Sequence, residues 1–230
     1  MQPYFLPYIG YFQLMSAVDK FVLLDDVAFI NGGWINRNRI VVNGRLHWLT
    51  LPLAKASQNR RINEIEIIDD RAWKGKMLRT VELTYRQAPF VSQILPRFAE
   101  MLDQARGSLF TCLSRQLLQV TAYIGIDVKT EVSSVIAAKD GRSGQERILD
   151  ICAREKATCY VNPPGGRNLY DGAAFASAGI ELLFLKPNLD KLPLRHSGRE
   201  GPGLSILDLL MLNSPETIRA ATSMFQLETK

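Results

Sequence analysis

The chain has 230 residues, of which 47% are hydrophobic and 22% are charged, and its formal net charge is +5 at pH 7. These proportions are typical of a folded globular protein, and they exclude a chain that is disordered along most of its length. No apolar run reaches the roughly 18 residues of a membrane-spanning helix, and the first residues lack the features of a signal peptide. We therefore expect a cytoplasmic protein without a membrane span.

The positive charge favours anionic partners such as phosphates. Because the basic residues are dispersed along the chain, the sequence predicts a small anionic substrate and no nucleic acid. Cys112, Cys152 and Cys159 stand in apolar surroundings without CxxC spacing, which predicts reduced, buried thiols and argues against a disulfide or a zinc site. Neither a cofactor nor an oligomeric state is specified by these features.

The chain begins with an aromatic loop, which is followed by helix, strand and hairpin signals. Apolar spacing predicts a helix from about Ile9 to Val18, and the run from Phe21 to Leu24 predicts a strand that ends in Asp25 and Asp26. Asn43-Gly44 stands between two strand-like runs and predicts a type I′ hairpin, because both central residues of that turn need positive φ. An isoleucine-rich strand is expected at 62–68.

Helices dominate the middle of the chain, and alternation of strands with helices returns after it. End signals predict three helices, at 71–86, 89–104 and 109–125. The later predicted elements are strands at 128–132, 158–161 and 180–185, helices at 144–156 and 171–178, a long loop at 187–203, and a final helix that begins at Ser205. This order predicts a single α/β domain over 1–230, with a helical subdomain at about 71–125 and a three-layer parallel or mixed sheet.

Three side chains are candidates for catalysis. Asp25 and Asp26 stand at the carboxyl end of a strand, where α/β proteins place a general base or a Mg²⁺ ligand. The alternative is that one of them caps a turn and the other pairs with Arg37 or Arg39. His196 is the third candidate, because it lies in a long loop among basic residues. No dedicated metal site is predicted.

Two segments are candidates for substrate binding. Strand alternation from Trp34 to Arg39 places two asparagines on one face and two arginines on the other. Arginine suits a diphosphate and tryptophan can stack on a base or sugar, whereas a solvated hairpin edge is the alternative. In the second segment, a loop at Gly165-Gly166 lets backbone N–H groups face an anion. The candidate residues are Gln2, Tyr4, Trp34, Asn36, Arg37, Asn38, Arg39, Arg167, Asn168 and Tyr170. We expect Gln2, Tyr4, Trp34, Asn36 and Arg39 to border one pocket with Asp25, and 162–170 to close over it.

The opening words of the chain, MQPYFLPYIGYFQL, DKFVLLDDVAF and WINRNRI, resemble the signature of the WbqC-like family. Later pieces such as RILDICAREKATCYVNPPGGRNLY are similar to it as well. Members of that family are bacterial and are often encoded among genes for O-antigen and other surface polysaccharides, so the resemblance implies a role in that biosynthesis. Family members carry a short apolar strand before the Gln-Pro, which implies that this strand is missing here or that the start is misplaced.

The order of turn, helix and acid-terminated strand also resembles the opening of the nucleotidylyltransferase-like α/β fold. That fold binds phosphates through a histidine in the turn, and no histidine stands there in this chain. The resemblance therefore implies the fold, but it does not imply adenylyl transfer by the usual histidine.

These features together predict a transferase that acts on an activated, phosphate-bearing small molecule, either a nucleotide-linked amino sugar or an acyl or aminoacyl donor. The arginines would hold the charge of the donor, and Asp25 or Asp26 would serve as base or metal ligand. One alternative is a non-catalytic protein that binds a polysaccharide-biosynthesis enzyme or a carrier protein. A second is a nucleotidyltransferase, which needs Mg²⁺ and a triphosphate pocket.

Overall fold

The computed structural model describes residues 1–137, 141–189, 192–197 and 201–229. The α-helices in these ranges are α1 (Ile9–Ser16), α2 (Arg71–Tyr85), α3 (Val91–Asp103), α4 (Leu109–Ile124), α5 (Ser133–Ile136), α6 (Gly144–Arg154), α7 (Gly172–Ser177), α8 (Ile206–Leu212) and α9 (Pro215–Thr222). The strands are β1 (Lys20–Leu23), β2 (Arg37–Val42), β3 (Arg45–Thr50), β4 (Leu53–Ala54), β5 (Glu66–Ile67), β6 (Gly107–Ser108), β7 (Lys129–Val132), β8 (Cys159–Asn162), β9 (Glu181–Pro187) and β10 (Phe225–Thr229).

Within the described ranges the strands form several small sheets. Strand β1 pairs with β7 in parallel, and β8 pairs with β9 in parallel while β10 runs antiparallel along the other side of β9. Strands β2 and β3 form a hairpin, and β4, β5 and β6 form an antiparallel sheet. The fold is therefore mixed α/β, as predicted. The three-layer arrangement and the nucleotidylyltransferase-like fold stay predictions.

The predicted block of three helices is present as α2, α3 and α4, and polar caps set its boundaries. The Asp70 side chain accepts a hydrogen bond from the Ala72 N–H at the start of α2, and Ser108 caps α4 in the same way. Gly125 ends α4 with a left-handed φ of 76°. These helices pack with α1, the hairpin and α8 around one large apolar core. In the part of the chain that the structure describes, no helix combines the length and the apolar character needed to cross a bilayer.

One prediction of local structure is confirmed only in part, and two are wrong. The strand predicted at 62–68 is confined to β5, and the segment opens with a 3₁₀ turn, Ile62–Glu64, next to the buried Ile65. The predicted glycine loop at 165–166 lies inside a 3₁₀ helix, Pro164–Leu169. The helix after Ser205 is not the last element, since α9 and β10 follow it. The cysteines are free thiols, but Cys159 is exposed and therefore departs from the prediction of buried thiols.

The hairpin of β2 and β3 confirms the prediction made from Asn43-Gly44. Both turn residues have positive φ, 49° at Asn43 and 74° at Gly44. The resulting register places Arg39 opposite Trp48. This register determines which side chains share the exposed face of the hairpin.

Replacing Gly44 by alanine is expected to destabilise the protein by about 1–2 kcal/mol, because a Cβ atom disfavours the left-handed conformation. The matched control is Gly75→Ala in α2, where an added Cβ atom meets nothing within 4 Å. That change should stabilise the protein by roughly 0.5–1 kcal/mol, since alanine is the better helix former. Chemical denaturation of both variants measures the two effects. Equal effects of the same sign would contradict the assigned turn.

The first residue lies alongside β1. The N-terminal amine of Met1 donates to the Val22 carbonyl at 2.6 Å, and the Met1 carbonyl accepts from the Leu24 N–H at 2.9 Å. A cavity of about 380 Å³ lies next to Met1 and is lined by residues of both β1 and β8. Burial lowers the pKa of the amine from its ordinary value of 8.0 to about 5.

Candidate functional site

The N-terminal loop is anchored at Leu6, whose φ of 42° is unusual for a residue other than glycine. The Leu6 N–H donates to Gln116 Oε1 at 3.0 Å, and the Leu6 carbonyl accepts from Asn38 Nδ2 at 2.7 Å and from Ser205 Oγ at 2.9 Å. These bonds are buried, so they offset a backbone strain of about 1–3 kcal/mol. They also join the loop to α4, to β2 and to the start of α8.

The exposed face of the hairpin carries two tryptophans and two arginines: Trp34, Arg37, Arg39 and Trp48, here called the tryptophan–arginine face. Arg37 Cζ lies 4.2 Å from the centroid of the Trp48 ring. Arg39 Cζ lies 5.1 Å from the Trp34 ring and 5.6 Å from the Trp48 ring. The two indole rings are 5.4 Å apart, and their side chains remain 39% and 40% exposed. These distances are those of cation–π contacts on an accessible surface.

Neither arginine of this face is neutralised by an acid in the described ranges. Arg37 donates to the Gly33 carbonyl at 3.1 Å and to the Gly32 carbonyl. Arg39 has a buried Nε atom that has no hydrogen-bond partner. The face therefore combines two positive charges with two aromatic rings, which is the chemistry that a phosphate attached to a planar or sugar ring requires.

The predicted alternation along β2 is confirmed. Asn38 is buried and donates to the Phe5 and Leu6 carbonyls, while Asn36 donates to the Leu51 carbonyl at 2.9 Å. The amides of both asparagines are therefore used to fix the backbone around the hairpin. Their placement supports the arginine face without bringing them onto it.

Gln2 and Tyr4 lie at the other end of the N-terminal loop. The Gln2 carbonyl accepts from Tyr11 Oη at 2.9 Å, and the rings of Tyr4 and Tyr11 are 5.7 Å apart. Burial raises the pKa of Tyr4, and neighbouring Tyr8 adds to that effect. These contacts make the aromatic loop part of the core that supports the hairpin.

The acids after β1 form a closed, buried cluster with α5. Asp25 is 4% exposed; its Oδ1 accepts from the Ser134 N–H at 3.0 Å, and its Oδ2 accepts from Ser134 Oγ at 2.7 Å and from Asn63 Nδ2 at 2.8 Å. The Ser133 hydroxyl lies 3.0 Å from Asp25 Oδ1 and 2.6 Å from Asp26 Oδ1. Both oxygen atoms of Asp25 are thus occupied by protein donors.

Asp26 pairs with Arg147 of α6, not with Arg37 or Arg39 as the structural alternative predicted. Arg147 donates to Asp26 Oδ2 at 2.6 Å, and both side chains are at least 93% buried. Arg147 also donates to the Ser133 and Ala137 carbonyls. This ion pair ties the end of β1 to α5 and α6.

His196 belongs to a different cluster, built around Asp208 in the first turn of α8. Asp208 is fully buried; its Oδ1 accepts from Tyr85 Oη at 2.8 Å and its Oδ2 from the Ser197 N–H at 3.1 Å. His196 Nδ1 lies 3.9 Å from Asp208 Oδ2, and the His196 side chain is 15% exposed. Burial lowers the pKa of His196, and the Asp208 carboxylate acts in the opposite direction.

The later candidate loop lies near β10. Arg167 pairs with Glu228 and donates to the Thr229 carbonyl, and its guanidinium lies 4.9 Å from the Phe184 ring. Asn168 is exposed, whereas the Tyr170 ring packs against Phe175. Arg167 therefore shares the Glu228 carboxylate with Lys186, which lies 3.2 Å from it.

The candidate residues are thus divided among the tryptophan–arginine face, the backbone contacts around the hairpin, the aromatic loop, the Asp25–Asp26 cluster, the His196 cluster and the β10 loop. Their roles in binding and catalysis stay predictions. Trp48 and Asp208 are additional members that sequence reasoning missed. Trp48 had a signal, because a two-residue turn at Asn43-Gly44 sets it opposite Arg39. For Asp208 no pattern in the sequence predicted a contact with His196.

The described residues contain no group of three or more histidine, cysteine, aspartate or glutamate side chains arranged to hold a metal ion. Asp25 and Asp26 face serine, asparagine and arginine donors instead. The two carboxylates therefore accept hydrogen bonds from protein donors.

Comparison with known proteins gives the chain a family. Residues 2–220 match the WbqC-like protein family. An uncharacterized protein of Mycobacterium tuberculosis, Rv1507c, is 30% identical over 212 residues, which cover 91% of this chain and 90% of that protein. No solved structure matches the chain. The match over nearly the whole length shows that the chain belongs to the WbqC-like protein family.

Proposed function

We propose that the protein is a transferase of surface-polysaccharide biosynthesis whose tryptophan–arginine face binds a phosphate-bearing donor, with a nucleotide-linked amino sugar as the first candidate. One observation carries the proposal. Arg37 and Arg39 lie over the exposed rings of Trp34 and Trp48, and no acid of the described ranges forms an ion pair with either of them.

Arg37 uses its Nε and Nη2 groups on the Gly33 and Gly32 carbonyls, and Arg39 Nε is buried. The Nη1 group of Arg37 and the two Nη groups of Arg39 can donate to a diphosphate, whose charge matches the two arginines. The exposed part of each indole offers a surface for the base or the sugar. An acyl or aminoacyl donor that carries a phosphate meets the same two groups.

The Asp25–Asp26 cluster has a structural role in this proposal and does not contact the donor. Asp26 accepts from Arg147 and lies 2.6 Å from the Ser133 hydroxyl, while Asp25 accepts from Asn63 and from the N–H and hydroxyl of Ser134, so neither carboxylate has an unused oxygen for substrate. The cluster fixes the ends of β1 and β7 relative to α6. We therefore assign Asp25 and Asp26 a structural role and place donor binding at the hairpin.

Arg39→Ala and Trp48→Ala are expected to weaken donor binding by about 10–100-fold each, because a charge-assisted hydrogen bond or a stacked ring contributes roughly 1.5–3 kcal/mol. Isothermal titration of the 230-residue chain with a UDP-linked amino sugar measures the affinity. Arg45→Ala on the same hairpin and Trp73→Phe in α2 are the matched controls and should change the affinity less than about twofold. Arg39→Lys should recover only part of the loss, because lysine lacks the planar fork.

Binding should also weaken as salt is added, since both arginines are partly accessible. If wild type, Arg39→Ala and Trp48→Ala bind the donor with equal affinity, the donor does not bind at this face. If no UDP-linked sugar, nucleoside diphosphate or phosphate-bearing acyl donor binds, the transferase function itself is rejected.

A second candidate function is a non-catalytic protein that docks a biosynthetic enzyme or a carrier protein. The observation that favours it is the exposure of large apolar side chains beside the same face, with Ile30 50% and Leu46 40% exposed. Tryptophan and arginine are also common at the centres of protein interfaces. A purified partner that shifts the melting temperature when nucleotide sugars do not would select this function.

A further inference from the structure

We infer that His196 is the proton acceptor of the transfer reaction and that Asp208 is the residue that positions it. This inference rests on the proposed transferase function, and it assigns the part of the reaction that the tryptophan–arginine face does not supply. A donor bound by arginine and tryptophan still needs a group that removes the proton of the acceptor.

The backbone on both sides of His196 is fixed by buried side chains. Asn213 accepts from the Arg195 N–H at 2.8 Å and donates to the Arg195 carbonyl at 3.0 Å. On the other side, the Ser197 N–H donates to Asp208 Oδ2 at 3.1 Å. A loop residue held in this way is presented in a defined position, which a proton-transfer group requires.

The surroundings of the imidazole define which nitrogen accepts the proton. His196 Nδ1 is buried, has no hydrogen-bond partner and faces Asp208 Oδ2 at 3.9 Å. A movement of about 1 Å brings this pair to hydrogen-bond length. Asp208 then favours the tautomer with the proton on Nδ1, which leaves the lone pair of Nε2 as the acceptor. Tyr85 Oη holds the other Asp208 oxygen and so orients the carboxylate.

The cluster lies next to the strand that carries Arg39. Ser205 caps α8 and donates its N–H to the Arg39 carbonyl at 2.9 Å, and Asp208 follows one helical turn later. The start of α8 is therefore packed along β2. The proposed reaction therefore requires that an acceptor bound at the tryptophan–arginine face extends over the start of α8 to His196.

The reaction balances with these groups alone. The acceptor hydroxyl or amine attacks the donor carbon while the bond from that carbon to the phosphate-bearing leaving group breaks. The acceptor proton passes to His196 Nε2, and Asp208 stabilises the resulting imidazolium. The leaving group takes the bonding electron pair, and its negative charge is held by Arg37 and Arg39. The imidazolium returns its proton to solvent before the next turnover.

The chain contains only two histidines, His47 and His196, so NMR can follow each imidazole separately. Histidine titration of wild type and of His47→Gln assigns the His196 signals. Asp208→Asn should lower the His196 pKa further, because it removes the only carboxylate near the imidazole within the described ranges. A His196 titration that Asp208→Asn leaves unchanged would show that Asp208 does not position it.

Transfer from the UDP-linked sugar should fall by about 10²–10⁴-fold in His196→Gln, while the donor affinity stays within about twofold of wild type. The wild-type rate should decline at acidic pH as His196 is protonated, and this decline should be absent in His196→Gln. The control His47→Gln should retain the rate and the pH profile. If wild type transfers the sugar and His196→Gln does so at the same rate, the role of His196 is rejected and the proposed function is retained. Absence of donor binding in wild type would instead reject the proposed function and this role with it.

Discussion

Replacing Asp26 by asparagine is expected to lower the free energy of unfolding by about 3–5 kcal/mol, because the change removes the charge of one partner from a buried ion pair. Arg147 and Asp26 are 2.6 Å apart, and their side chains are 7% and 4% exposed. An asparagine amide can accept one hydrogen bond from Arg147, but it carries no charge. The loss should therefore exceed that of an ordinary surface ion pair by severalfold.

Urea denaturation measures the effect, with Glu82→Gln as the matched control. Glu82 pairs with Arg79 at 2.8 Å, but these side chains are 45% and 66% exposed, so breaking the pair should cost less than about 1 kcal/mol. A double-mutant cycle with Arg147→Met measures how much of this loss comes from the interaction between Asp26 and Arg147.

The same variant separates a structural role from a catalytic one. A structural Asp26 predicts that transfer activity per folded molecule is nearly unchanged. Full stability combined with lost turnover would instead identify Asp26 as a base and would overturn the structural assignment.

For a chain with a free amine at Met1, the free energy of unfolding is expected to rise with pH between about 5 and 8. The amine of Met1 has a folded pKa of about 5 and an ordinary value of 8.0. Between these values the unfolded chain binds more protons than the folded chain, so unfolding is favoured as the pH falls. The three-unit interval corresponds to about 4 kcal/mol. The lowered pKa of His196 contributes in the same direction.

Acetylation of the amine isolates its contribution, because the acetylated chain has no terminal charge to bury. Denaturation curves of both forms at pH 5, 6, 7 and 8 should show a clearly flatter dependence for the acetylated chain. The cavity beside Met1 offers space for the added group. If the two forms have the same slope, the buried amine does not titrate as described.

The sequence by itself determined the elements whose signals lie within a few residues. The Asn43-Gly44 turn is decided by the φ angles that these two residues adopt, and its register follows by counting. The helices α2 and α4 begin at Asp70 and Ser108, because a short polar side chain caps the free N–H groups of the first turn. Family membership likewise follows from the order of residues.

Only the tertiary structure decided which polar groups meet. Asp26 lies 121 residues from Arg147 and much closer in sequence to Arg37 and Arg39, yet it pairs with Arg147. Likewise, Tyr85 bonds with Asp208 across 123 residues. The physical reason is that a buried charge takes the partner that packing brings to it, and packing depends on how α5, α6 and α8 cross the strands. Local propensity carries no information about that crossing. The candidate side chains could therefore be identified from the sequence, but their partners are determined by the tertiary packing.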